Sequence, residues 1–208
     1  MNIFVKENLK AIHQEDIVML KNSLGEAKIT KHSLGTITLP TGHVSIGNPY
    51  NCSIKDLDRH TFNQSVQPGS YHFIVYESCH HKNVDIAFIE ILFNNICPTH
   101  FAPAITIKDK QLNRKGPYGY MIHDNLIGFM DAETYRIISA ASNPISLFHE
   151  SIDETTINTD IEYENFSIKN TTGNIIILSV PYGCHYWYYG KDQNGNLCSL
   201  IGDFYSFY

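Results

Sequence analysis

Cys79, His80 and His81 are consecutive, with His72 shortly before them, and form the densest set of metal-type ligands in the chain. Zinc needs three or four nitrogen or sulfur ligands converging as a tetrahedron. Neighbouring residues on an extended segment point to opposite faces, so these three do not readily meet one ion. The stretch reads as a solvated hairpin loop, and neither a metal nor a cofactor is expected. Cys184 and His185 have the residue types of a nucleophile and its base, but as direct neighbours on a strand they face apart. His123 and His149 are the more distant bases to consider. Asp192–Asn196 lacks the alternating carboxylates and closing glutamate of a calcium loop and reads as a hairpin turn. GxSxG, HExxH, P-loop and GxGxxG signatures are all missing, so no catalytic residue is assigned.

Two other groups suit contact better than catalysis. Tyr182, Tyr186, Trp187, Tyr188 and Tyr189 form an aromatic cluster, of which Tyr186 and Tyr188 are the candidates for a recognition face. Glu150, Asp153, Glu154, Asp160, Glu162 and Glu164 are six acids in a stretch without lysine or arginine, and they equal the net charge of −6 of the whole chain. Such a block is either a solvated loop or an electrostatic docking surface for a basic partner.

The elements that must carry these residues are mostly strands. Leu9, Ile12, Val18 and Leu20 predict a helix over residues 6–24, stopped by Gly25. Beyond it, short extended runs alternate with breaks at Pro40-Thr41-Gly42 and Gly47-Asn48-Pro49. Residues 70–76 and 84–93 predict a hairpin with a long polar loop at 77–83, with Val84, Ile86 and Phe88 on one face. Residues 119–122 and 126–130 predict a second hairpin across His123-Asp124-Asn125. Asp131 caps a helix bearing Tyr135, Ile138 and Ala141, which Asn143-Pro144 ends. Ile175–Leu178 suits a buried strand, and a final aromatic hairpin turns at Asn194-Gly195. One domain over 1–208 is expected: an N-terminal helix within 1–25, then a β-rich body over 26–208. The class is mostly β, a β-sandwich or strongly curved antiparallel sheet, with one or two further short helices.

The chain has 208 residues and 43% hydrophobic content, enough to bury a core without staples. A pI near 6.0 argues against nucleic acid as a partner. No export signal or membrane span is legible, and five scattered cysteines read as reduced thiols, so a cytoplasmic address is expected.

Several pieces fall in a characteristic order: Leu39-Pro40-Thr41-Gly42 leading to Gly47-Asn48-Pro49, then Val66-Gln67-Pro68-Gly69-Ser70-Tyr71, then the run 84–93. Gly128-Phe129-Met130-Asp131-Ala132-Glu133 follows, and last Tyr188-Tyr189-Gly190 through Asp192 and Gly195 to Asp203-Phe204. Over roughly residues 37–205 the chain resembles the bacterial domain-of-unknown-function family 4241. The resemblance implies a mostly-β fold and supplies no catalytic residues. The association of some members with toxin neighbourhoods implies an immunity role. The chain departs from the family where a G-D-G-x-Y-P stretch is common: Tyr182 stands in place of the aspartate.

The leading expectation is therefore a non-enzymatic binding protein, in its sharpest form an immunity protein that occludes a cognate toxin with a basic surface. The alternative is an enzyme or small-ligand protein with a pocket near His123, His149 or His185.

Overall fold

A computed structural model describes residues 9, 11–13, 17–22, 25–80, 83–113, 119–151 and 161–204. Two antiparallel sheets face each other. The first runs in the order β1 (Ile17–Asn22), β2 (Gly25–Leu39), β4 (Gly69–His80), β5 (Asn83–Leu92), β13 (Leu197–Asp203), β12 (Gly183–Lys191), β6 (His100–Pro103). A further strand, β7 (Gly119–Ile122), pairs with the other half of β12. The second sheet is β3 (Val44–Gly47), β8 (Leu126–Asp131), β11 (Asn174–Ser179), β10 (Tyr163–Ile168), β9 (Phe148–Ser151). Short helices lie in the connections: α1 (Leu57–His60) between β3 and β4, α2 (Ile107–Gln111) between β6 and β7, and α3 (Ala132–Ala140) between β8 and β9.

The inner faces supply the main core. Phe73, Val75, Ile89, Ile91, Trp187 and Leu200 from the first sheet meet Ile46, Ile127, Phe129, Ile176 and Leu178 from the second. Phe129 packs edge-on against Phe73 at 4.9 Å and against Trp187 at 5.6 Å, the geometry that aromatic quadrupoles favour. Two smaller clusters cover the outer faces. Tyr135 and Ile138 of α3 lie on Met130, Ile175 and Ile177 of the second sheet. Leu9 and Ile12 lie on Tyr76, Phe88, Tyr188 and Ile201 of the first.

The cap of α3 forms as the sequence predicts, and it does more than cap. The fully buried Asp131 accepts from the Glu133 N–H at 2.8 Å and from the Thr41 N–H and hydroxyl at 2.9 Å. Leu39-Pro40-Thr41-Gly42 is thereby tied to Asp131-Ala132-Glu133 across 90 residues. The C-terminal hairpin also forms. Gly195 takes φ +83°, and the Asp192 carboxylate accepts from the Asn194 and Asn196 N–H groups.

Four expectations are corrected. Ile17–Asn22 is a strand, not the end of an N-terminal helix. Val18 and Leu20 turn inward while Ile17 and Met19 are exposed, a period of two. The polar stretch after Tyr76 is no loop, since β4 runs on to His80 and pairs with both β2 and β5. A bulge between Tyr76 and Glu77 shifts the β5 register, so Ile86 joins the inner core and Phe88 the outer cluster. Residues 119–130 make no hairpin: β7 pairs with β12 and β8 with β3 and β11, so His123-Asp124-Asn125 carries the chain from one sheet to the other.

Candidate functional site

The predicted partner-binding residues divide sharply. Glu162 and Glu164 are exposed on and beside β10. Glu150 falls in β9, and Asp153, Glu154 and Asp160 lie outside the described residues. Tyr186 is half-buried, and Tyr188 is buried in the outer cluster of the first sheet. Burial, then the Asp203 and Tyr186 charges, push the Tyr188 phenol up to about 12. Of the aromatic cluster, Tyr182 is the member open to solvent, at 63% exposure.

Around Glu162 the surface is concave. α3 covers one end of the second sheet's outer face and leaves the other open. There a groove of about 520 Å³ is lined by Leu126, Ile177, Leu178, Tyr163, Glu162 and Glu164. It shares Ile161, Glu162 and Ser179 with a second hollow of about 330 Å³, whose wall includes Asp85, Asn125 and Val180. The two adjoin as one trough, with Leu126, Ile177 and Glu164 in its first part, Asp85 in its second and Glu162 where they meet. None of the described lining residues is lysine or arginine. Asp85 comes from the first sheet, far away in sequence, and only the packing of the two sheets brings it to this rim.

A second cleft lies between α1, α2 and the crossing at His123. It holds about 640 Å³ and is lined by Arg59, His60, Lys108, Leu112, Tyr120 and His123 among others, with a deeper annex that reaches Cys52 and Tyr135. His60 is stacked on Tyr135 at 5.7 Å and meets the edge of Tyr120 at 5.4 Å. Burial lowers the His60 pKa, with Asp56 opposing, which favours the neutral ring. Cys52 donates to the Asn48 carbonyl at 3.2 Å, and burial pushes its thiol up to about 12. A thiol so placed is not a nucleophile near pH 7. Tyr120 is likewise pushed up to about 12, by burial first.

The three histidines considered from sequence do not share a site. His123 lines the cleft, at 6.1 Å from the Tyr182 ring. His149 is exposed on β9 of the second sheet. His185 is buried in the first, stacked on Phe204 at 4.2 Å with Nε2 3.0 Å from the Pro181 carbonyl; burial lowers its pKa. His60, which sequence reasoning passed over, is the histidine best placed in the cleft. Among the described residues no three His, Cys, Asp or Glu side chains converge as metal ligands, and His72 and Cys79 are separately exposed on β4. All five cysteines are free. No described helix is long and apolar enough to cross a membrane.

The chain belongs to the family described as "protein of unknown function (DUF4241)", which it matches over residues 37–202. No curated protein and no solved structure matches it.

Proposed function

We propose that this member of the family is a binding protein whose acid-rimmed trough takes a basic, partly apolar segment of a protein partner. The observation that carries the proposal is the trough itself: Glu162 and Glu164 stand beside Leu126 and Ile177, and Asp85 lines the adjoining hollow, without a lining cation. Apolar surface supplies affinity, and one-signed rim charge supplies orientation and speed of encounter. The remaining acids of the 150–164 block extend the same charge along the sequence. In its sharpest form the partner is a bacterial toxin met in the cytoplasm, with the acids occupying the place of substrate phosphates in a basic groove.

The test is selection of a random displayed peptide library against the protein at low and moderate salt. Recovered peptides should interleave Lys or Arg with apolar residues and bind less tightly as salt rises. Charge reversal at Asp85, Glu162 and Glu164 removes three rim pairs at roughly 0.5–1 kcal/mol each, so affinity should fall about 30-fold. Peptides without basic enrichment, or equal binding by the triple variant, would sink the proposal.

A second reading is a small-ligand protein using the cleft, favoured by His60 and His123 lining one cavity with Tyr120. Saturation of that cleft by a small molecule, lost on Tyr120→Ala and untouched by charge reversal at the trough, would favour it.

A further inference from the structure

The outer face of the first sheet holds two carboxyl groups where strands ordinarily place apolar side chains. Glu90 of β5 and Asp203 of β13 are both 0% exposed. Glu90 pairs across the ladder with Ile201, and Asp203 lies two residues further along β13, so both point to the same face. Around them stand Tyr76, Phe88, Phe101, Tyr188 and Ile201, a bowl of rings with acid at its base. The Tyr76 hydroxyl donates to Glu90 Oε2 at 2.7 Å. The group nearest the other oxygen comes from the far N-terminal side: His13 Nε2 is 3.1 Å from Glu90 Oε1, at ion-pair distance though not aligned as a hydrogen bond, with its ring stacked on Phe101 at 6.1 Å. Leu9 and Ile12, both 0% exposed, flank it.

A buried carboxyl with one nitrogen partner is a poor way to hold a sheet together. A hydrophobic replacement of similar volume commonly stabilises as much or more, while removal of the partner leaves a costly buried charge. An acid at the base of an aromatic bowl has the chemistry of a receptor for a nitrogen base: the rings take its flat or cationic face and the carboxyl takes its N–H. The segment that fills the bowl lies before residue 37, where the family match begins, whereas Glu90, Tyr76, Phe88, Phe101, Tyr188 and Ile201 all lie within it.

We infer that this face is a binding site for an imidazole- or amine-bearing group, and that Leu9, Ile12 and His13 occupy it as an internal ligand through the His13 ring. Tethering gives the His13 ring an effective concentration that a free ligand of the same chemistry cannot match. A competing ligand must therefore bring further contacts of its own to displace the segment.

The test is chemical rescue in the full chain. His13→Ala opens a slot above Glu90, and imidazole is then titrated while the thermal midpoint is followed. At ten times its dissociation constant, imidazole should raise the midpoint of the variant by roughly 3–5 °C. The wild type should not respond, because its own ring fills the slot, and His13→Ala combined with Glu90→Gln should lose most of the response. Benzene fits the hole but offers no nitrogen, and should stabilise less than imidazole. An equal effect of benzene, an equal effect with Glu90→Gln, or a folded His13→Ala indifferent to imidazole would overturn the inference. Should His13→Ala not fold alone, refolding with imidazole is the readout: recovery supports the site, and failure of both His13→Ala and His13→Gln to recover counts against it.

Discussion

Asp131 gives the most exacting test of how the fold is held. Its carboxylate gathers the Thr41 N–H, the Thr41 hydroxyl and the Glu133 N–H, all within 2.9 Å and without exposure to water. Asp131→Asn keeps the shape and turns one acceptor into a donor. Whichever way the amide is flipped, its NH₂ must face either the Thr41 N–H or the Glu133 N–H. One buried donor is then unpaired, at about 1–3 kcal/mol, and the surviving bonds lose charge assistance. A total near 3 kcal/mol follows, within the about 5–15 kcal/mol that such a domain has in hand, so the variant stays folded but weakened. Thr41→Val removes only the hydroxyl and should cost about 1 kcal/mol. The assay is urea unfolding followed by the fluorescence of Trp187, the one tryptophan, which is fully buried between the sheets. With a slope of about 2–3 kcal/mol/M, Asp131→Asn should lower the midpoint by about 1 M. Thr41→Val should cost less in the Asp131→Asn background than in the wild type, since the two share one network. Strict additivity, or a loss under about 0.5 kcal/mol for Asp131→Asn, would refute this account.

Three further outcomes are expected. Gly202 lies opposite Trp187, where an added Cβ would sit 2.5 Å from the indole Cη2, so Gly202→Ala should cost roughly 1–3 kcal/mol in the same urea assay. With its thiol at about 12, Cys52 is almost wholly protonated at pH 8. Iodoacetamide should therefore modify the exposed Cys79 and Cys97 well before it, as peptide mass spectrometry would read. His185 has a folded pKa lowered by burial, so the unfolded chain takes up its proton first as pH falls. Its contribution is fully present above the unfolded value of about 6.5 and is lost below it; the urea midpoint should drop from pH 7 to 5, less steeply in His185→Gln.

Local chemistry was legible in the sequence, and partnership between distant segments was not. The Asp131 cap and the Asp192–Gly195 turn depend on neighbours a few residues away, and both formed as the residues dictate. The N-terminal helix failed because Ile17 and Met19, which interrupt a helical stripe, are the outward half of a strand alternation. Turn residues at His123-Asp124-Asn125 announced a reversal but could not say that the next strand joins the other sheet. The acid block was visible as a run. The apolar residues beside it appear only once β8, β10 and β11 pair, and Asp85 joins the trough only once the two sheets are packed together. Tyr188 was read as a contact residue from its type, but strand alternation turns it under Leu9 and Ile12.

The sheet-to-sheet crossing at 123–125 has a consequence for any ligand. Asn125, held at φ +52° with its carbonyl bonded to the Val180 N–H, is part of the trough wall. His123 and Asp124 line the cleft on the other side, where Asp124 receives the Asn48 amide at 3.1 Å. Three consecutive residues thus form a party wall between two chambers. A substitution that reshapes this strip would therefore alter the lining of both cavities at once, and ligand assays at either one have to be read with the other in view.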